Sequence, residues 1–150
     1  MANNASDIAV NSICLDSVEE TKIPAKGDGS LLPGSCCAII AATGVIDGTD
    51  AGAVEEFVGI LEKHYSKDID TAPATTDAVD LIAPKQSKKY IVRIDSANTA
   101  AGNIGKPLEF SATSSGELMD AATLDDKSVA RLAQVYNGTD DFAKVYWGMV

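Results

Sequence analysis

The chain has a single histidine, His64, and this residue is the first candidate for catalytic chemistry. A nucleophilic triad requires a histidine that meets a serine or cysteine and a third, orienting group. The chain has no G-x-S-x-G turn, no P-loop and no dinucleotide-binding fingerprint, and residues 103–105 lack the glycine spacing of a phosphate cradle. We therefore interpret His64 as a solvated histidine at the end of a strand.

Metal binding is the second chemistry to consider. One histidine and three cysteines, Cys14, Cys36 and Cys37, cannot supply a four-ligand zinc shell at the usual spacing. Calcium needs only oxygen ligands, which Asp47, Asp50 and several other acidic turn residues offer, but the chain lacks the twelve-residue calcium loop. We predict no metal, no cofactor and free thiols. The side chains of Cys36 and Cys37 should point to opposite faces of a strand.

Paired carboxylates are the third possibility, because two carboxyl groups on opposite sides of a cleft can hydrolyse a glycoside. The pairs Glu55-Glu56 and Asp125-Asp126 are sequence neighbours, and neighbours seldom face each other across a cleft. Glycosidase sites are usually lined with aromatic rings, whereas the only tryptophan, Trp147, is best explained by packing in a core or an interface. We predict that the protein is not an enzyme.

The charge of the chain excludes two classes of partner. Twelve basic and 22 acidic residues give a net charge of -10, which repels phosphate backbones and anionic membrane surfaces. We expect no nucleic acid and no membrane as partner. The first 30 residues contain no apolar run long enough for a signal sequence or a membrane span, so we expect synthesis in the cytoplasm.

The elements that would position these residues are mostly short strands. Apolar or alternating runs bounded by turn residues predict strands at 36–42, 78–83, 90–94 and 107–111. In the third of these, Arg93 between apolar neighbours indicates a half-exposed strand. Residues 129–136 and 142–150 flank an Asn-Gly pair at 137 and 138, which predicts a closing β-hairpin.

Residues 49–65 allow two interpretations. Val54, Phe57, Val58 and Leu61 have helical spacing, whereas Gly59 in the middle of the segment favours a strand. The sequence alone slightly favours the helix.

About six short strands joined by Gly, Pro and Asp turns predict a mainly β fold, a small β-sandwich or barrel with minor helix and an extended N-terminal arm. We assign residues 31–150 to a single β-rich body domain, and we find no internal repeat.

Residues 1–30 are assigned to the extended N-terminal arm, which ends in a flexible exit at 26–30. Two interpretations stay open: a disordered tail, or a strand added to the sheet edge of a partner. The residues predicted to bind the partner are the isolated apolar ones, namely Ile8, Val10, Ile13, Leu15 and Val18.

Four short motifs and the final apolar hairpin resemble the decoration and cement proteins that cap the outer surface of tailed-bacteriophage heads. The motifs are Ile23-Pro24-Ala25-Lys26-Gly27, Phe57-Val58-Gly59-Ile60-Leu61, Gly105-Lys106-Pro107-Leu108 and Ser115-Gly116-Glu117-Leu118. The resemblance implies that the second motif is a strand, that the third leads into another, and that the fourth is a tight turn between strands.

The same resemblance implies a function. The protein would be a non-enzymatic capsid decoration protein of the virion, a homotrimer that binds the major capsid protein on the outer capsid surface and stabilises the head lattice. An arm that becomes ordered only on the capsid would give such binding its specificity. Two alternatives stay open: a subunit of another viral assembly such as a fibre or tail, and a carbohydrate-binding β-domain.

Overall fold

The computed structural model describes residues 20–138 and 141–148, which form two five-stranded antiparallel sheets and one short 3-10 helix. The first sheet contains β1 (Thr21–Lys26), β2 (Cys36–Ile39), β3 (Ile46–Gly48), β4 (Gly59–Leu61) and β5 (Ala78–Ala83). The second contains β6 (Lys89–Arg93), β7 (Pro107–Phe110), β8 (Leu118–Asp120), β9 (Ser128–Leu132) and β10 (Phe142–Trp147). The 3-10 helix is Ser96–Asn98. The predicted β-sandwich with minor helix is confirmed.

The two sheets have the same strand order. The first is β1-β5-β4-β2-β3 and the second is β6-β10-β9-β7-β8, so each half of the chain repeats one topology. The absence of an internal repeat, concluded from the sequence, is therefore wrong at the level of the backbone. Topology is set by turn geometry and by the alternation of buried and exposed positions, and both can persist while residue identities differ.

The two halves also share hydrogen-bond register. Gly34 donates its N–H to the carbonyl of Leu61 at 2.8 Å, and Gly105 donates to Leu132 at 2.7 Å. Both glycines precede the second strand of their half by two residues, and both have positive φ angles, 90° and 85°, where glycine is favoured because it has no Cβ. The same backbone turn therefore leads into β2 and β7.

Each sheet is curled until its two outer strands meet. Five antiparallel strands leave the first and the last pointing the same way, so this contact must be parallel. Lys26 forms a parallel bridge with Val45 in the first sheet, and Ile94 forms one with Leu118 in the second. The edges of both sheets are thus partly closed by their own chain.

Two large apolar clusters fill the described part of the molecule, beside a small third one. One lies on a single face of the first sheet and is built from aliphatic residues and a thiol, among them Cys37, Leu61 and Leu81. The other includes most of the buried side chains of the second sheet together with Cys36, Ile60 and Ile82 from the opposite face of the first. This larger cluster joins the two sheets. Cys36 and Cys37 point to opposite faces, as predicted.

Most predicted strands are confirmed. Residues 78–83 are β5 with the predicted bounds, and the strands predicted at 36–42, 90–94 and 107–111 correspond to β2, β6 and β7. The two segments of the predicted hairpin do pair, with Val145 opposite Leu132. Pairing stops well before the Asn-Gly pair because Tyr136 instead donates its N–H to Ala101 at 3.2 Å, so the connection is a longer loop.

Other expectations are wrong. The helix at 49–65 is absent: residues 51–56 form turns and Gly59–Leu61 is β4, as the family resemblance implied. Gly59 explains this, since a Cβ there would lie 2.8 Å from the Ile82 carbonyl oxygen and so prevent the pairing of β4 with β5. Arg93 and His64, expected at half-exposed and solvated positions, are both buried.

The segment assigned to the arm divides in two. Residues 1–19, including Ile8, Val10, Ile13, Leu15 and Val18, lie outside the described residues. Thr21–Lys26 is β1, which pairs with β5 along its whole length. The boundary between arm and body stays a prediction. Within the described residues no helix is long and apolar enough to cross a membrane.

Candidate interaction surface

The strand nearest the predicted arm, β1, has one free edge that is protected against a further strand. The Lys26 N–H, which lies on that edge, donates to Gly44 at 2.9 Å. The backbone N–H groups of alternate residues point to the same edge of a strand, so the backbone nitrogens of Lys22 and Pro24 also lie on this edge. Proline has no N–H to offer there. Exposed lysine and proline at an edge oppose the addition of strands from other chains. The free edge of β1 is therefore a poor acceptor for an arm.

The segment that follows β1 is fixed against the body of the first half. Gly27 is buried and donates its N–H to Asp77 at 3.1 Å, and Gly29 donates to Pro73 at 2.8 Å. The Asp28 carboxylate accepts the N–H groups of Ser30 and Leu31 at 2.8 and 2.7 Å. Burial would raise the pKa of Asp28, but these hydrogen bonds lower it. The structure thus shows a hydrogen-bonded turn where the sequence suggested a flexible exit.

The single histidine lies beside a concave surface of about 300 Å³, lined by Lys22, Glu62, Lys63, His64, Tyr65, Ala78, Val79 and Asp80. His64 Nδ1 contacts the Ser66 hydroxyl at 2.9 Å and accepts the Ser66 backbone N–H at 3.2 Å. Both contacts come from the residue two positions later and stabilise a local turn. No carboxylate among the described residues hydrogen-bonds the other ring nitrogen. This geometry closes a local turn.

Each of the two carboxylate pairs considered in the sequence contributes one member to a second concave surface. Glu55 and Asp126, from different pairs, line a cavity of about 370 Å³ together with Lys127. The other lining residues are Ala51, Gly52 and Val54, so the part of the chain that the structure describes offers this cavity no aromatic platform for a sugar. Within residues 20–138 and 141–148, no three His, Cys, Asp or Glu side chains could hold a metal ion together.

The two described cysteines are buried free thiols. Burial raises the pKa of Cys36 and Cys37 far above the ordinary value of a thiol. The neutral thiol is a weak nucleophile and a weak metal ligand. These cysteines contribute packing to the two large apolar clusters.

A buried arginine connects the two halves of the chain. Arg93 Nε donates to the Pro33 carbonyl at 2.8 Å, and one terminal nitrogen donates to the Ile69 carbonyl at 2.8 Å. Its guanidinium carbon lies 4.2 Å from the centre of the Phe142 ring. Burial lowers the pKa of Arg93, although an arginine stays charged in this setting. Arg93 is a structural cation, and only its contacts with residues distant in sequence could have identified it.

Two carboxylates near Arg93 have opposite pKa shifts. Burial would raise the pKa of Asp95, but hydrogen bonds donated by Ser111, Asn98 and Thr113, at 2.7, 2.9 and 3.1 Å, lower it. Burial and the charges of Asp95 and Asp141 raise the pKa of Glu117 to about 6. Through these hydrogen bonds Asp95 stabilises the loops at this end of the second sheet.

Large apolar side chains that remain exposed mark the surfaces most suited to a protein partner. Five are found in the described residues: Ile40, Tyr65, Ile104, Leu124 and Val135. Two of them, Ile104 and Val135, lie on adjacent loops of the second half, which are joined by the hydrogen bonds from Gly105 to Leu132 and from Tyr136 to Ala101. No local sequence pattern predicts that these two loops meet.

Comparison with known proteins adds information on the fold. The chain is similar to a chain in the solved structure "The capsid of Myoviridae Phage XM1", with a TM-score of 0.59 and 13% sequence identity, over 89% of this chain and 86% of that chain. No family model and no curated protein matches the sequence. At this identity the likeness shows a shared fold: the two-sheet architecture also occurs in a chain of a phage capsid.

Proposed function

We propose that this protein is a non-enzymatic structural protein of a phage virion that binds the outer surface of the head and stabilises its lattice. The observation that carries the proposal is the fold shared, over nearly its whole length, with a chain of a phage capsid. The motif resemblance to head-decoration proteins supports the outer surface as the site of binding. The proposed partner is the major capsid protein, and the proposed assembly state is a homotrimer.

The physical properties of the chain fit this role. A protein that coats a lattice must remain soluble at high concentration, and a net charge of -10 favours solubility. Trimeric binding around a symmetry axis would combine several weak contacts into one strong attachment. Neither the turn at His64 nor the cavity between Glu55 and Asp126 has the geometry of an active site.

We further propose that the arm supplies the contact with the head, through Ile8, Val10, Ile13, Leu15 and Val18. Each is an apolar residue in a polar segment. Burial of such a side chain against a partner contributes about 1.5–3 kcal/mol. Five of them would contribute about 7.5–15 kcal/mol before the ordering of the arm is subtracted, which is comparable to the roughly 8 kcal/mol of a μM affinity.

The test is sedimentation of the purified protein with undecorated phage heads. We expect the full chain to co-sediment at a fixed ratio to the capsid protein and to raise the temperature at which the heads break. Deletion of residues 1–19 leaves β1 intact and should abolish binding while the thermal unfolding of the body is retained. A chain that ignores the heads, or a deletion variant that still binds them, would refute the corresponding part of the proposal.

A matched substitution pair separates the apolar residues from the mere presence of the arm. Replacing Ile8, Val10, Ile13, Leu15 and Val18 with serine should remove binding, whereas replacing Asn3, Asn4 and Asn11 with serine should not. Open-ended polymers of the purified chain would instead identify a fibre or tail subunit.

A carbohydrate-binding role is favoured by one observation, the Tyr65 side chain, which is 91% exposed beside the concave surface at His64. The ring packs on His64, with 4.6 Å between ring centres. A glycan array with the purified protein tests this alternative, and binding that is lost in Tyr65→Ala would support it.

A further inference from the structure

The two halves of the chain contact each other through different parts of their shared topology. Arg93 of the second half donates its backbone N–H to the Gly34 carbonyl at 2.9 Å, and its Nε donates to the Pro33 carbonyl at 2.8 Å. Cys36 of the first half donates its N–H to the Gly116 carbonyl at 2.8 Å. We call this region the inter-half contact. In it, the segment leading into β2 meets the end of β6 and the turn before β8.

The inter-half contact is head-to-tail, because each half uses a different surface. A head-to-tail contact leaves one unused copy of each surface, and these copies can join further molecules in a ring or an open row. We call the unused surfaces the first end and the second end. By the strand register given below, the first end comprises Pro24, Lys26, Gly44 and Ala78, and the second end comprises Gly105 and Pro107.

The side chains of the first end differ from those of the inter-half contact. In each half, the last residue of the first strand pairs with the first residue of the last strand. The equivalent positions are therefore Pro24 and Ile91, Lys26 and Arg93, and Ala78 and Phe142. The second-half residues are at most 5% exposed, and Ile69 of the first half packs against Ile91 and Phe142. Their first-half equivalents, a proline, a lysine and an alanine, are all exposed.

The backbone of the first end is closed on itself. The Lys26 N–H donates to the Gly44 carbonyl at 2.9 Å. Gly44 is equivalent to Gly116, because each precedes the third strand of its half by two residues and has a positive φ angle. In the second half, the Arg93 N–H and the Gly116 carbonyl each bond the first half instead. The first end thus bonds to itself the two groups that the second half offers to its neighbour.

The second end differs from the inter-half contact in another way. Pro107 is the first residue of β7, as Cys36 is of β2, and proline has no N–H to donate. Gly105 is equivalent to Gly34, but its carbonyl accepts a hydrogen bond from the Arg131 side chain at 2.7 Å. The donor used by the first half is therefore missing at the second end, and the acceptor is occupied by the chain itself.

We propose that the chain is a tandem of two units whose ends are capped against the addition of further copies of the same chain. Each half has the topology of both sides of the inter-half contact, so an uncapped tandem would add copies head to tail. Proline and lysine at an exposed strand edge oppose such addition. Arrays of repeated units need altered outer faces on their terminal units for the same reason. Any self-association of the chain then uses other surfaces.

The test restores the residues of the inter-half contact at each end separately. The first-end variant carries Pro24→Ile, Lys26→Arg and Ala78→Phe. The second-end variant carries Pro107→Ala, which restores the N–H, and Arg131→Ile, because Ile60 pairs with Cys36 where Arg131 pairs with Pro107. By light scattering, each variant alone should have the mass of the unmodified chain. An equimolar mixture should have about twice that mass, because a head-to-tail contact needs one end of each kind.

The separate variants also control for adhesive surfaces. A first-end variant that associates with itself as strongly as with the second-end variant would indicate unspecific adhesion and would overturn the inference. A mixture that keeps the mass of its components would overturn it as well, since the restored ends would then fail to form the contact. Circular dichroism checks folding, and Pro107→Ala alone replaces the second-end variant in the mixture if that variant is unfolded.

The unmodified chain provides a second measurement. Open-ended growth with rising concentration that Ala78→Asp stops would overturn the inference, because growth would then use the first end. A chain that forms no open-ended polymers, or polymers unaffected by Ala78→Asp, agrees with it. The inference does not rest on the binding of phage heads, and neither variant changes residues 1–19. Failure to bind heads would leave the capped ends standing, and failure of the mixture would leave the proposed function standing.

Discussion

The two halves of the chain have the same strand order and closure, but side chains of different size fill them. The cluster of the first sheet is aliphatic. The larger cluster contains the aromatic rings of Tyr90, Phe110, Tyr136 and Trp147, and Phe57 from the first half inserts among them, with ring centres 5.5 Å from Phe110 and 4.9 Å from Trp147. One backbone plan therefore tolerates two different interiors, and the larger one also joins the sheets.

The largest expected effect tests this difference in the interiors. Phe110 and Ile39 occupy equivalent positions, opposite Leu118 and Ile46 respectively, but Phe110 is fully buried and Ile39 is half-buried. Phe110→Ala should lower the free energy of unfolding by about 4 kcal/mol and Ile39→Ala by about 2 kcal/mol or less. Equilibrium urea unfolding measures both. Equal losses of unfolding free energy would mean that the two interiors contribute equally to stability.

The equivalent glycines give the next largest effect. Both have positive φ angles, but a Cβ at Gly34 would lie 3.2 Å from side-chain atoms of Arg93 and Phe142, whereas nothing lies within 4 Å at Gly105. Gly105→Ala should lower the free energy of unfolding by about 1 kcal/mol, from backbone strain alone. Gly34→Ala adds steric overlap and should lower it by about 3 kcal/mol. A smaller loss at Gly34 than at Gly105 would contradict the crowding beside Arg93.

A smaller effect comes from Glu117. Its equivalent in the first half is the apolar Val45, because the Ser111 N–H donates to the Glu117 carbonyl and the Ile40 N–H donates to the Val45 carbonyl. Burial raises the pKa of Glu117 from 4.5 to about 6, so between these values the folded protein binds more protons than the unfolded chain. Stability should therefore fall as the pH rises from 4.5 to 6 and stay reduced above it.

The substitution Glu117→Gln removes this ionisation. It should raise the free energy of unfolding by about 1 kcal/mol at neutral pH, after allowance for solvent screening, and the gain should vanish below pH 4.5. Thermal unfolding across this pH range is the measurement. A destabilised variant at neutral pH would show that the Glu117 carboxylate makes a favourable contact there.

The smallest effect concerns the edge of the first sheet. Lys22 pairs with Glu62 at 3.1 Å, and both groups are partly exposed. A hydrogen bond to Glu62 raises the pKa of Lys22, but surface ion pairs contribute little to stability. Lys22→Ala should lower the free energy of unfolding by no more than about 0.5 kcal/mol. A loss above about 1 kcal/mol would assign the pair a larger role in holding β1.

The sequence predicted the strands whose signal is local. Residues 78–81 alternate between exposed and buried positions, and residues 107–110 alternate between half-buried and buried ones. Both patterns lie within a few residues of clear turns, so they are sufficient to predict the strands. The helix prediction for residues 49–65 was wrong because the helical spacing of four apolar residues outweighed Gly59. The role of Gly59 depends on its close approach to Ile82, which is distant in the sequence. The prediction that Arg93 is half-exposed was wrong for the same reason, since its partners Pro33 and Ile69 are distant in sequence.

The repeated topology could not be detected in the sequence because equivalent loops of the two halves differ in length. The loop between β4 and β5 runs from 62 to 77, whereas the equivalent loop between β9 and β10 runs from 133 to 141. Unequal loops remove any fixed period, and few equivalent positions keep the same residue. The predicted arm residues remain untested.

The pairing of β1 with β5 has a mechanical consequence. All six residues of β1 face partners on β5, and Gly27 beyond them is fastened to Asp77. Tension applied at Glu20 along the strand axis would load these pairs together, in shear, and could not peel them apart one at a time. Resistance to a pull is governed by the rate of unfolding under load and not by equilibrium stability. The first strand is thus suited to transmit force from the start of the chain into the body.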